Sequence, residues 1–203
     1  MEEVKPKATL LDYNENNIKN IAISAKLTHS KKGLEDLDKD MSNKEKENLV
    51  KKMIDLGHES TLEHSYYYFR VVCSRNCSHQ LVRQRVGVAY SQRSERYVLN
   101  DNVGYIIPPD IEDKREAKIH FDNVLKHSED VYCKLRSVGI KKEDARFVLP
   151  RIATEVAVSY NARSLRHFFD LRSDKKAQWE IREIAKQMLE QVKEVNPAIV
   201  YDL

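Results

Sequence analysis

Residues Tyr66 to Tyr97 read YYYFRVVCSRNCSHQLVRQRVGVAYSQRSERY. The first eight, Tyr66 to Cys73, are aromatic and β-branched and are apolar at both parities, which predicts a strand covered on both faces, by helices or by another subunit. Asn76 to Arg85 predicts a short helix that carries Gln80 and Arg83 on one face, because residues three apart are neighbours there. Val86 to Ser94 reads as a loop, with Gly87 permitting an unusual turn or a close approach of the backbone.

Between Ser65 and Val98 lie six arginines (Arg70, Arg75, Arg83, Arg85, Arg93, Arg96), no lysine, and the single acid Glu95. A planar guanidinium suits phosphate and carboxylate oxygens, so arginines set among apolar and small residues point to an anion-binding floor. The plainer alternative is a run of surface arginines paired with acids elsewhere in the chain.

Working outward, Ala8 to Leu11 is a strand candidate, and Ile18, Ile21, Ala22 and Ala25 recur at helical spacing. Ser42 and Glu45 form a capping box for a helix whose apolar face is Leu49, Val50, Met53, Ile54 and Leu56, closed by Gly57. The next segment, Gly57 to His64, holds two histidines and two glutamates. His58 and His64 are six apart, which fits no common zinc spacing and implies no metal, and Ser60 with Glu63 reads as a second cap. Downstream, Glu112 to Val138 predicts one long amphipathic helix with Ile119, Val124, Leu125, Val131, Leu135 and Val138 on its apolar side. A short helix over Lys141 to Leu149 stops at Pro150. Thr154 to Tyr160 alternates as a strand, with Val156, Val158 and Tyr160 on one side. Asn161 caps a helix with Leu165, Phe168, Phe169 and Leu171 as core, while Arg163, Arg166 and His167 turn elsewhere. A last helix covers about Ala177 to Val195. Together these predict an α+β fold: a compact domain with a mainly antiparallel sheet flanked by helices, and long amphipathic helices at the periphery.

A chain of 203 residues with no internal repeat or low-complexity linker fits one domain over residues 1–203. With 41% hydrophobic and 33% charged residues it is neither membrane-embedded nor disordered. A net charge of +3 is too balanced to announce nucleic acid as a partner. The start lacks the apolar run of a signal peptide, so a cytoplasmic protein is expected. Cys73, Cys77 and Cys133 have no paired C-x-x-C spacing and read as reduced, mostly packing thiols.

Arg83-Gln84-Arg85 followed by Tyr90-Ser91-Gln92-Arg93-Ser94-Glu95-Arg96-Tyr97 resembles the signature of the flavin-dependent thymidylate synthases, R-H-R-x-x-S-x-N-x-x-S-x-R. Gln84 stands where that family has histidine, and the segment between Arg85 and Ser94 is one residue longer, so the middle serine falls on Val88 or Ala89. Gly57 to His64 is similar to the family's G-H-x-[ST]-x-x-E-H segment. Asn161 to Glu180 resembles its N-A-R-S-L, L-R-x-D and A-Q-W-E elements, and Arg146 to Pro150 adds a further match. The resemblance thus runs from about Gly57 to Glu180.

What the resemblance implies is reductive methylation of dUMP to dTMP, with methylenetetrahydrofolate as carbon donor and FAD recharged by NADPH. It implies that Arg172 activates dUMP and that Gln80, Leu81, Val82, Arg83, Gln92, Arg93, Ser94, Glu95, Arg96 and Arg146 hold it. It also implies that Ser60, Arg83, Gln84, Arg85, Gln92, Asn161, Arg163 and His167 face FAD, with His58 beside the reactive ring. The family is homotetrameric with shared sites, and a chain this small with three ligands to seat agrees with that expectation. The residues have plainer readings too: Arg172 with Asp174 as a helix-end ion pair, and Asn161 as a cap alone. Two other functions compete, a flavoprotein that modifies a different pyrimidine nucleotide and an arginine-rich protein that binds single-stranded nucleic acid, stacking bases on Tyr90 and Tyr97.

Overall fold

The computed structural model describes residues 2–94, 96, 104–150 and 153–203. Among them, four strands form one antiparallel sheet in the order β1-β2-β4-β3: β1 (Lys7–Tyr13), β2 (Tyr67–Ser74), β3 (Val88–Gln92) and β4 (Ala153–Tyr160). The helices are α1 (Asn17–Leu27), α2 (Leu34–Asp40), α3 (Asn43–Asp55), α4 (Arg75–Leu81), α5 (Pro109–Glu112), α6 (Arg115–Ser137), α7 (Lys142–Ala145), α8 (Ala162–Arg172) and α9 (Trp179–Val195). The fold is α+β. Residues group into two compact units, one of 1–7, 72–80 and 91–156 and one of 8–71, 81–90 and 157–203, with β2, β3 and β4 each contributing to both.

In the second of these units α1 packs on α3 and α8 on α9. Its core is Ile21, Ala22, Val50, Ile54, Tyr67, Phe69, Leu165, Phe168, Ile181, Ile184 and Met188, all buried. Asn17 is buried among them and is fully used: its Nδ2 donates to Tyr66 O and Asn196 Oδ1, and its Oδ1 accepts from Tyr66 N. The Tyr67 hydroxyl donates to the same Asn196 Oδ1 at 2.8 Å, and burial pushes its pKa far up. The open edge of β1 is occupied by glutamines of α9: Gln187 accepts from Ala8 N, and Gln191 accepts from Leu10 N and donates to Ala8 O. These side chains satisfy backbone groups that an unprotected edge strand would leave open to another chain. The Ser42 and Glu45 capping box forms as expected, and Gly57 closes α3 at φ +70°.

The first unit gathers α4 to α7. Near its N-terminus Val4 N donates to Tyr105 O at 2.9 Å beside an isolated bridge between Glu3 and Tyr105, and Ile106, Ile107, Leu125, Tyr132 and Ala145 are buried.

Several sequence-level expectations are corrected. β2 buries one face completely (Tyr67, Phe69, Val71, Cys73), while Arg70 on the other face is exposed, so this chain's own helices do not cover both faces and the alternative of cover by another subunit is the one left open. The helix expected over Asn76 to Arg85 ends at Leu81, leaving Arg83 in a turn rather than on a helical face with Gln80. The expected loop contains β3, in which Val88, Tyr90 and Gln92 alternate inward and pair with β4; tertiary pairing overrode the local polar composition. The long helix expected over Glu112 to Val138 forms as α6, starting at Arg115 because Lys114 takes extended backbone at φ −121°, with the separate short α5 before it. Of the expected apolar side, Ile119 and Val124 on α6 and Val138 at its C-terminal cap are exposed, and the buried pair on α6 is Leu125 and Tyr132. Leu171 is exposed and Arg166 is buried, the reverse of expectation. Arg166 is compensated by a bidentate pair with Asp202 at 2.7 and 2.8 Å and by Ile199 O.

Candidate active site

Sequence places Gly57 to His64 between a helix and a strand, and the chain there winds into a 3₁₀ turn over Glu59–Glu63. Ser60 lies inside this turn and makes no cap, contrary to expectation; Thr61 Oγ1 donates instead to His58 O at 3.2 Å. The turn borders a cavity of about 640 Å³ that is also lined by α1, α3 and the start of α8. Ala25, Leu49, Met53 and Leu56 form its apolar wall, while Lys26, His29, Lys52, His58, Ser60 and Arg163 bring polar groups to it. The structure thus brings Arg163 to His58 and Ser60, about a hundred residues earlier in the sequence. Arg163 is oriented by Glu63 at 2.7 Å and Glu59 at 3.5 Å, and its pKa is raised chiefly by the hydrogen bond to Glu63. Lys26, His29 and Lys52 were not singled out from sequence. Their signal was faint: both lysines sit in last helical turns, where a cation is expected on dipole grounds alone.

In the same unit, Leu81 is buried, Val82 and Gln84 are half-buried, and the Arg83 and Arg85 side chains are exposed. Neither arginine forms an ion pair with a described residue, which leaves both charges available to a ligand. Asn161 caps α8, accepting from Ser164 N at 2.9 Å, and its own N–H donates to Gly87 O at 3.0 Å. Gly87 has φ +68°, and a Cβ there would lie under 3.0 Å from Asn161 Nδ2 and Ser164 Oγ. Only glycine fits a backbone that approaches this closely. A second cavity of about 300 Å³ lies beside it, lined by Tyr66, Gly87, Ala89, Tyr160 and Asn161 among others. His167 is exposed on α8, and Arg172, half-buried, ends that helix.

In the other unit, Gln92 Nε2 donates to Ser78 Oγ at 3.0 Å and Thr154 Oγ1 at 3.4 Å. Arg93 pairs with Glu155, and its carbonyl accepts from Arg75 at 3.3 Å. Arg96 Nε donates to Glu143 Oε2 at 3.2 Å, its N–H reaches Ser94 Oγ at 3.3 Å, and Arg146 Nε donates to Glu143 O at 3.1 Å. Glu143 is therefore a common partner of Arg96 and Arg146. Gln80 is half-buried at the end of α4. Glu95 and Tyr97 lie outside the described residues.

The chain matches the family model described as thymidylate synthase complementing protein over residues 9–198. Similar proteins named flavin-dependent thymidylate synthase include those of Saccharolobus solfataricus, 42% identical over 94% of this chain and 74% of the relative, and Geobacter sulfurreducens, 38% identical over 97% and 86%. The chain belongs to the flavin-dependent thymidylate synthase family. The Clostridium tetani synthase adds 38% identity over 94% of this chain and 84% of its own. A crystal structure described as a UMP/dUMP methylase, PolB from Streptomyces cacaoi bound with 5-Br dUMP, superimposes with a TM-score of 0.86 at 20% identity, covering 98% of this chain and 95% of that one. At that identity the superposition speaks to the fold alone. No helix among the described residues is long and apolar enough to cross a membrane.

Proposed function

We propose that this chain is a thymidylate synthase that converts dUMP to dTMP, with FAD as its flavin, methylenetetrahydrofolate as carbon donor and NADPH as reductant. The observation that carries this reading is the cavity that gathers His58, Ser60 and Arg163. Its donor set fits FAD. The apolar wall of Ala25, Leu49, Met53 and Leu56 suits a flat ring system, and Lys26, Lys52 and Arg163 suit a diphosphate. Gln84, Arg83, Arg85, Asn161 and, more weakly, His167 complete the proposed flavin contacts. Bound FAD supplies the hydride for the reduction.

The remaining work falls to the chain. Arg96 and Arg146, drawn together at Glu143, are the proposed seat of the dUMP phosphate, with Gln80, Gln92, Arg93 and Ser94 as further contacts. Arg172 is the proposed catalytic residue: loss of the N3 proton or hydride addition places negative charge on the uracil, and a fixed guanidinium stabilises that charge without reorganising. The exposed face of β2 and the exposed apolar residues of α6 support a homotetramer whose copies cover them and share sites.

Purified protein is incubated with FAD, dUMP, methylenetetrahydrofolate and NADPH, and dTMP is quantified. We expect FAD binding and dTMP. FAD binding without dTMP would move the chemistry to another pyrimidine nucleotide or carbon donor; no flavin binding at all would sink the reading. Light scattering that finds a fully active monomer would remove the tetramer.

A further inference from the structure

The segment from Leu81 to Gly87 is neither helix nor strand beyond Leu81, yet it is not loose. Its carbonyls are taken up one after another. Leu81 O and Gln84 O both accept from the Tyr90 hydroxyl, at 2.8 and 2.9 Å. Val86 O accepts from Ser164 Oγ, and Gly87 O accepts from Asn161 N. One phenol and the first turn of α8 therefore hold the peptide planes on both sides of Arg83-Gln84-Arg85. The two guanidinium groups between these ties point outward with no partner among the described residues.

The phenol is itself anchored. Tyr90 sits edge-on to Tyr160 with ring centroids 6.4 Å apart and hydroxyl oxygens at 3.4 Å. Tyr160 is buried and packs on Phe168 of α8 at 5.7 Å. Since the Tyr90 proton is directed at the two carbonyls, Tyr160 is the donor between the hydroxyls. Burial raises both phenols, so each keeps its proton through the neutral range, and the Arg172 charge is felt at Tyr160.

We propose that Tyr90, acting with Ser164, is a positioning residue that presets the Arg83-Gln84-Arg85 segment for the flavin and nucleotide anions. The proposal rests on the functional reading above. A turn that is ordered beforehand does not have to be ordered when ligand arrives, and its arginines meet their anion without a search over backbone conformations. The latch to α8 is made at Gly87, which offers its carbonyl to Asn161 in a place that tolerates no Cβ.

The test is Tyr90→Phe, which keeps the ring and removes only the hydroxyl, with Ser164→Ala beside it. Amide hydrogen exchange over residues 82–88 is measured on the flavin-free protein, FAD affinity by flavin fluorescence quenching, and kcat and KM on the loaded enzyme. Loss of a hydrogen bond to two carbonyls predicts about tenfold faster exchange in this segment and roughly tenfold weaker FAD binding, with the melting temperature within a few degrees of wild type. KM for dUMP rises more than kcat falls, and Tyr90→Phe with Ser164→Ala compounds the effect. Exchange and FAD affinity equal to wild type in Tyr90→Phe would overturn the proposal, as would a loss of affinity that merely follows a lower melting temperature. A wild-type protein that binds no FAD would sink the functional reading alone, because the exchange experiment needs no ligand.

Discussion

Arg93 and Arg96 are held by carboxylates, while Arg83 and Arg85, a few residues away in sequence, are not. Arg93 meets Glu155 with the two side chains 44% and 25% exposed, and Arg96 meets Glu143 at 53% and 40%. Pairs this open contribute about 0–1 kcal/mol, so a dianionic phosphate can share or displace the acid at little cost. Arg83 and Arg85 have no acid to release, and what is fixed around them is the backbone. Arg166 is a third case, 8% exposed at its side chain and bidentate on Asp202. The same residue type is therefore held in three ways, in an open ion pair, without a carboxylate partner among the described residues, and as a buried internal strut. The difference lies in which neighbours the fold supplies, not in the local density of arginine.

The largest effect belongs to Arg172, the arginine proposed to act at the chemistry. Arg172→Ala should lower kcat for dTMP by about 10²–10³-fold, the usual cost of removing one charge-stabilising donor, with the circular dichroism spectrum unchanged. Wild-type turnover in a folded variant would remove Arg172 from that role. Next is Arg85→Ala, where loss of a charge-assisted contact should weaken FAD binding by roughly tenfold or more while leaving the melting temperature nearly alone. A drop of many degrees would mean that the fold leans on Arg85, and the contrast with Arg166 would collapse. Smaller again, Arg96→Ala should raise the dUMP dissociation constant about tenfold, an effect that shrinks as salt is added, with FAD affinity retained. Unchanged dUMP affinity would mean that the Glu143 pairing is only a surface contact.

Much of this architecture was legible because periodicity and caps are local. The Ser42 box, the Gly57 stop, the Asn161 cap and the Val156-Val158-Tyr160 face all stand where the residues predicted. What escaped was non-local. β3 looked like a loop because its pairing comes from β4, more than sixty residues away, and nothing within Val88 to Gln92 announces it. Arg166 looked solvent-facing because Asp202 lies 36 residues downstream. The cavity beside Ser60 was foreseen only through the resemblance. Its lysines come from two helices whose own patterns explain them without any ligand. Tyr90 was read as a stacking surface, and only the fold shows its hydroxyl turned onto the carbonyls of the preceding turn.

The smallest effect is the one that isolates the strut. Asp202→Asn keeps the size of the side chain and removes its charge, leaving the buried Arg166 with weaker acceptors. Because Asp202 is itself about a third exposed, the loss should be only about 1 kcal/mol, measured by urea unfolding near neutral pH. The pH dependence gives the sign. The hydrogen bond from Arg166 holds the Asp202 carboxyl below its ordinary range, so folding favours the ionised form. That contribution is present above the unfolded value of about 4 and is lost as pH falls through the lower folded value. The stability gap between wild type and Asp202→Asn should therefore be constant from neutral pH down to about pH 4 and close below it, while FAD and dUMP affinities stay at wild-type levels throughout. A gap that persists in acid would assign the loss to shape rather than charge. A change in FAD affinity would make Arg166 part of the binding surface, and the separation of strut from seat would fail.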